Sequence, residues 1–461
     1  MRQTAVLDVR QFLDEHALSR FQVLVAVVCG AIAFMDGYDV QSMGFVAPAV
    51  SANLHIARAA MGPLFSSGLV GMMFGALLFG TLADRFGRKP ILLACTLIFG
   101  VMSLMTATAD SLRTFAIYRL MTGFGLGGAM PNAIALTAEF TPKKYRSTAV
   151  TLMFCGFSIG AAVGGFVAAS LIARYGWQSV FFVGGAVPMA IAVLAAALLP
   201  ESIRFLLLKG GQENRVAAYL ARISRDSTRY AELVAGADEH ASHGFTVKQL
   251  FKEGRALVTP LLWICFFMNL LVLFFLTNWL PTLMNDAGIK VETAIMITTL
   301  FQIAGTIGAV FLGWIFDRGF SFGTLALAYF GAAISVILIG QSGASIGLLT
   351  VTVTAAGFCV VGGQTSSHAL VAGFYPTAIR STGLGWCLGL GRIGSIVGPV
   401  LGGALLTLGY PTGRVFWVIA IPALIATTSA YLVSVNRSAR SAARTLANAV
   451  SRPLRAPNER P

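Results

Sequence analysis

Charge is what this sequence has least of. Asp, Glu, Lys and Arg make up 11% of the 461 residues, against 56% hydrophobic ones, where a soluble domain carries about 25%. With a mean hydropathy of +0.77, that scarcity excludes a soluble globular domain and makes the chain an integral membrane protein. Cysteine is confined to positions 29, 95, 155, 265, 359 and 387, all inside apolar runs and none paired in loops, which argues against disulfides and metal clusters. No metal or cofactor is expected. The first twenty residues lack an apolar core and a small-residue cleavage site, so no signal peptide is expected and the first span directs insertion. No HExxH or suitably placed Gly-x-Ser-x-Gly occurs, so an enzyme is not expected either.

Apolar stretches long enough to span a bilayer are what the chain has in abundance. They fall at 21–42, 59–83, 90–109, 112–140, 147–172, 178–199, 257–283, 293–316, 321–341, 344–371, 381–408 and 413–435. The expected fold is an all-α membrane protein of twelve transmembrane helices in two six-helix pseudo-symmetric halves. The expected division is a cytoplasmic segment 1–20, a half at 21–200, a cytoplasmic linker 201–256, a half at 257–435 and a basic tail 436–461. With the N-terminus inside, 26 basic residues lie on the cytoplasmic side and only Arg58, Arg113, Arg174, Lys290 and Arg414 opposite, so both termini are expected in the cytoplasm. The net charge of +14 is then a basic face toward anionic lipid, not a nucleic-acid site.

Against this apolar background the acids inside spans stand out. In Phe34-Met35-Asp36-Gly37-Tyr38-Asp39, Asp36 lies about 22 Å into a hydrocarbon layer of roughly 30 Å. Asp36 and Asp39, spaced i, i+3, share a helix face. An intramembrane carboxylate facing lipid costs at least ~2.5–3.5 kcal/mol, so such groups face protein or water and serve ion or proton traffic. The competing reading is a charge pair that staples helices, or an Asp reaching the headgroups. Arg119, about 10 Å into span four, is the expected partner of Asp36, and Glu139 closes that span.

The two sets of six repeat each other. Gly123-Phe124, Gly128, Ala135-Leu136, Phe140, Pro142 and Arg146-Ser-Thr align without a gap on Gly357-Phe358, Gly362, Ala369-Leu370, Phe374, Pro376 and Arg380-Ser-Thr. Asp84-Arg85 after span two corresponds to Asp317-Arg318 after span eight, one residue off that register. Parallel six-helix halves with a midplane site between them are a transporter plan. In the second half, span eight holds Gln302, span ten Gln364 and His368, and span eleven puts Arg392 near midplane without an acidic neighbour in its own half. A buried guanidinium of that kind is a fork for a substrate carboxylate, or else satisfies carbonyls between helices. His368 is as readily a packing residue as a proton relay. Tyr38, Phe154 and Trp386 are candidates to stack on a ring.

The loop Gly80-Thr-Leu-Ala-Asp84-Arg85-Phe-Gly87-Arg88-Lys89 resembles the signature of the major facilitator superfamily. Asp36-Gly-Tyr-Asp39, Gly127-Gly-Ala-Met-Pro-Asn132 and Tyr375-Pro-Thr-Ala-Ile-Arg-Ser-Thr-Gly383 resemble its aromatic acid/proton symporter branch, and the resemblance covers nearly the whole chain. It implies proton-coupled uptake, by alternating access, of an aromatic carboxylate of the 4-hydroxybenzoate, protocatechuate or benzoate type across a bacterial inner membrane. The alternatives are proton-coupled efflux, or symport of another small organic acid such as muconate or a phenylpropionate. Asp36, Asp39, Arg119 and Glu139 are expected in proton coupling, and Arg392, Tyr38, Phe154, Gln302, His368 and Trp386 in substrate binding. Asp84, Arg85, Arg146, Asp317, Arg318 and Arg380 are expected in gating. The partners are a small aromatic acid, protons and the bilayer, with no nucleic acid, and a monomer is expected. An antiporter-type Gly-x-x-x-Gly-Pro-x-x-Gly-Gly pattern is broken by Ala161 on span five but complete from Gly394 to Gly403; symport is the favoured direction.

Overall fold

The structure is a computed structural model describing residues 6–224, 232–234, 247–318, 322–376 and 379–450. A short helix α1 (Val9–Glu15) precedes six long ones: α2 (Arg20–Asn53), α3 (Arg58–Phe86), α4 (Arg88–Ala107), α5 (Leu112–Phe140), α6 (Lys143–Tyr175) and α7 (Gln178–Leu198). Two short helices, α8 (Ile203–Lys209) and α9 (Glu213–Ala221), lead towards the second set. That set is α10 (Val258–Asp286), α11 (Val291–Asp317), α12 (Phe322–Gln341), α13 (Ile346–Phe374), α14 (Arg380–Thr407) and α15 (Thr412–Val450). One departure from an all-helical chain is a parallel ladder between β1 (Val6–Asp8) and β2 (Glu232–Val234).

Among the described residues, eleven of the twelve long helices are long and apolar enough to cross a membrane. The twelfth is α5, whose Arg113, Arg119, Asn132 and Glu139 dilute its apolarity. It survives in the membrane because Arg119 and Asn132 are buried inside the protein, away from lipid. Several helices overrun their apolar runs, since helix propagation adds a backbone hydrogen bond per residue whether or not the side chain is apolar. The first ends at Asn53, about 51 Å from its start, and the last reaches Val450. The start of α2 is set by side chains: Ser19 and Gln22 form a reciprocal capping box. Only Gly87, at φ 100°, separates α3 from α4, a backbone turn that a residue with a Cβ rarely adopts.

The repeat seen in the sequence is a repeat of packing. In the first set α2 packs on α6, α3 on α5 and α4 on α7; in the second α10 packs on α14, α11 on α13 and α12 on α15. At equivalent positions Gly123 of α5 lies against Gly68 of α3, and Gly357 of α13 against Phe301 of α11. Small residues let helix backbones approach where lipid supplies no hydrophobic drive between helices.

The apolar core shows how the halves meet. On the side away from the termini one cluster, including Phe45, Phe65, Trp279 and Phe301, runs through both halves. Toward the termini it divides. One cluster around Leu92, Phe140 and Leu220 belongs to the first half, and another around Leu262, Phe322 and Tyr375 to the second. The halves are therefore joined on the far face and separate on the face that carries the termini.

Candidate functional site

Asp36 lies at the middle of α2 and is 2% exposed, with Asp39 one turn further at 1%. Gly37 between them is required by packing, because a Cβ there would collide with the Phe157 carbonyl of α6. The two carboxylates have different partners. Arg119 donates from Nη1 and Nη2 to the two oxygens of Asp39, both at 2.8 Å, and its guanidinium lies over Phe181 at 5.6 Å. The expectation that Arg119 pairs with Asp36 is therefore corrected. A step of three residues turns Asp39 about 60° from Asp36 around the helix, enough to aim one at α5 and leave the other for the opposite half.

Asp36 has no hydrogen-bond partner at its buried Oδ1. Its electrostatic neighbours are Asp39 and, across the halves, Arg392 of α14. Arg392, half-buried, thus has an acidic neighbour after all, supplied by the other half, where a search of its own half could not find one. The two interact through charge with no ion pair between them within 4 Å. Around residues 391–394, α14 packs on Phe266, Phe267 and Leu270 of α10. At the same level Asn269 donates to Gln364 at 2.7 Å, Gln364 lies 3.2 Å from His368 Nε2, and His368 stacks on Phe266. The second half thus offers a guanidinium and a chain of amides and an imidazole, while the first offers an orphan carboxylate.

Contacts between the halves lie on the far side of Asp36 from the termini. Gln302 donates to Gln41 at 2.5 Å, Ser66 donates to the Ile396 carbonyl at 2.7 Å, and Phe65 meets Trp279 edge-on at 5.1 Å. Beside the Asp39–Arg119 pair is a cavity of about 20 Å³ that also touches Asn278 of α10, room for about one water.

Other expected site residues are scattered. Tyr38 is 2% exposed and its hydroxyl donates to the Val180 carbonyl at 2.9 Å. Gln302 serves the inter-half bond just described. Phe154 and Trp386 are 42% and 38% exposed, and Trp386 stacks on Trp263. Glu139 sits about 30 Å along α5 from Arg119, outside the acid cluster. It accepts from Arg88 at 2.8 Å, from Ser202 and from the Arg204 backbone, clamping α4, α5 and α8 together. Asp84 is exposed; Arg85 lies over Phe86 and Arg318 over Trp314. Arg146 reaches Asp14 at 3.8 Å, and Arg380 is exposed at the start of α14. The side chain of Asp317 lies outside the described residues.

Gln41 and Glu201 escaped the sequence reading. Gln41 carries the inter-half bond, and Glu201 accepts from the backbone of Arg88 and Lys89 at the start of α4. An amide five residues from an intramembrane acid was the available signal for the first; for Glu201, at the start of the linker, there was none.

Comparison with known proteins places this geometry in context. The Major Facilitator Superfamily profile matches residues 29–346 and 262–458. A gallate transporter of Pseudomonas putida is 41% identical over 92% of this chain and 94% of its own. The 4-hydroxybenzoate transporter PcaK of the same organism is 41% identical over 91% and 94%. A solved bacterial homolog of the human lysosomal transporter Spinster, in an inward-facing and unoccupied conformation, superposes with a TM-score of 0.72 at 16% identity over 91% of this chain and 98% of that one.

Proposed function

As the chain belongs to the Major Facilitator Superfamily, within its aromatic acid permeases, and is a transporter and not an enzyme, we propose that it imports a small aromatic carboxylate together with a proton by alternating access. The observation that carries the reading is the Asp36 carboxyl, whose buried Oδ1 has no hydrogen-bond partner, within electrostatic reach of Arg392 across the halves. Arg392 provides a planar fork for a carboxylate. An anion bound there takes the counter-charge away from Asp36, whose Oδ1 has no hydrogen bond to hold it ionised, so Asp36 takes up a proton. Substrate and proton then cross as a neutral set, and the halves can rock without moving an uncompensated charge. Asp39, already held by both arms of Arg119, orients the first half around this site. Relatives that carry gallate and 4-hydroxybenzoate support a ring bearing a carboxylate as cargo. The excess of basic residues on the termini side supports a bacterial inner membrane with both termini cytoplasmic, so the face open here is the inner one. In the outward-open state Asp84, Arg85 and Arg146 of one half and Asp317, Arg318 and Arg380 of the other form the cytoplasmic gate.

Vesicles reconstituted with the protein and given an imposed pH gradient test this directly. Wild type is expected to accumulate labelled 4-hydroxybenzoate. Asp36→Asn is expected to lose accumulation and keep exchange at equal concentrations, which needs no net proton movement. Accumulation by that variant to the wild-type level, or equal uptake of the acid and its uncharged amide by wild type, sinks the proposal.

A further inference from the structure

Two sides of α13 are committed to packing: Gly357 and Gly362 lie against α11, and Gly363 against Tyr329 of α12. A third side carries Val360, Gln364 and His368 at steps of four along the helix, and it faces α10. Asn269 of α10 donates from Nδ2 to the Val360 carbonyl at 3.3 Å and to Gln364 Oε1 at 2.7 Å. A carbonyl only accepts, so the Val360 contact fixes which end of the Asn269 amide is nitrogen, and the Gln364 atom it also meets is then oxygen. The Gln364 nitrogen is thereby turned to His368 Nε2 at 3.2 Å. An amide nitrogen only donates, so Nε2 accepts and the imidazole is neutral with its proton on Nδ1. One face of the ring stacks on Phe266 at 5.5 Å, and among the described residues nothing accepts from Nδ1. Asn269, Gln364 and Phe266 are buried, whereas His368 is half-buried. Phe266 belongs to the core cluster of the second half alone, so His368 lies at the level where the halves are apart.

We propose that His368 is a specificity residue of the transport site, its Nδ1–H donating to a hydroxyl on the substrate ring. The assignment rests on the reading of Arg392 as the carboxylate fork. Gly391, next to Arg392, packs on the same Phe266 that His368 stacks on, so the guanidinium and the imidazole flank one aromatic side chain. Charge-assisted hydrogen bonds are the stronger ones, so the carboxylate takes the guanidinium and leaves the neutral donor to a neutral acceptor. A ring hydroxyl, with two lone pairs, is such an acceptor. A bare ring leaves Nδ1–H without a partner, which is how a polar site rejects an analogue lacking the group it was built to bind. Gln364 acts through His368 as a positioning residue, by holding the proton on the nitrogen that faces the substrate.

Equilibrium dialysis of the purified full chain with labelled 4-hydroxybenzoate, competed by unlabelled 4-hydroxybenzoate or benzoate, gives the affinity for each acid. Wild type is expected to prefer the hydroxylated acid by about tenfold, the worth of one such hydrogen bond. His368→Phe keeps a ring to stack on Phe266 and removes the donor; it is expected to weaken 4-hydroxybenzoate to the level of benzoate and to leave benzoate unchanged. Equal affinities in wild type, a preference that survives in His368→Phe, or equal weakening of both acids, as a packing or carboxylate-binding role gives, overturns the assignment. Gln364→Leu releases Nε2 while Asn269 keeps the Val360 carbonyl, and it is expected to reduce the preference without altering benzoate; an unreduced preference overturns the tautomer argument and the assignment with it. Arg392→Ala is expected to lose both acids alike. Retention of both in that variant overturns the transport-site reading, while the preference between the acids still judges His368.

Discussion

The two acids of α2 are expected to fail in different ways when neutralised. Asp39 and Arg119 form a bidentate pair whose side chains are 1% and 6% exposed, so solvent screens little of it. Removing one partner of such a pair strands a buried charge at a cost of about 3–5 kcal/mol. The Phe181 face beneath Arg119 offsets up to roughly 2 kcal/mol of that when desolvated, which places Asp39→Asn nearer 3 kcal/mol or below. Asp36 has an unbonded oxygen and no ion pair to lose, so Asp36→Asn is expected to change stability by about 1 kcal/mol or less. Denaturant unfolding of the purified protein in detergent measures both, and a double-mutant cycle of Asp39→Asn with Arg119→Gln isolates the pair. The cycle is expected to show a coupling of about 2–3 kcal/mol, since the double variant leaves no unpaired charge. Additive losses, or equal destabilisation by Asp36→Asn and Asp39→Asn, would refute the division of labour between the two acids.

Gln302→Ala removes the inter-half bond to Gln41 and is expected to open the far face more often; labelling of a cysteine placed at Thr277, which is buried on α10 against Gly44 of α2, should rise, and unchanged labelling counts against that bond as a latch. Glu139→Gln weakens the clamp on Arg88 and α8, so the linker between α9 and α10 should be cut faster by protease, while the pH gradient should still drive accumulation. Loss of accumulation with an unaltered linker would return Glu139 to proton coupling.

Membrane placement, the number of spans and the two-fold repeat were legible in the sequence because each is written in local composition. Scarcity of charge, runs of about twenty apolar residues and Gly123 repeating as Gly357 need no knowledge of what touches what. The ionisable residues inside the spans were legible for a related reason: Asp36, Asp39, Arg119 and Arg392 are costly in lipid, so their presence alone marks them. Their pairing was not. Whether Arg119 meets Asp36 or Asp39 depends on the rotation of α2 about its axis and on how closely α2 and α6 approach through Gly37, which sequence spacing leaves undetermined. The packing of Tyr38 was not legible for the same reason, since its ring is as suitable for a substrate as for the wall between α2 and α7 until the Val180 carbonyl claims its hydroxyl. Arg392 found its acid in the other half, at a sequence separation where no local pattern carries information. Sequence by itself determined which groups the membrane had to bury; only tertiary structure decided which of them satisfy one another and which, like Asp36, are left with an oxygen unbonded.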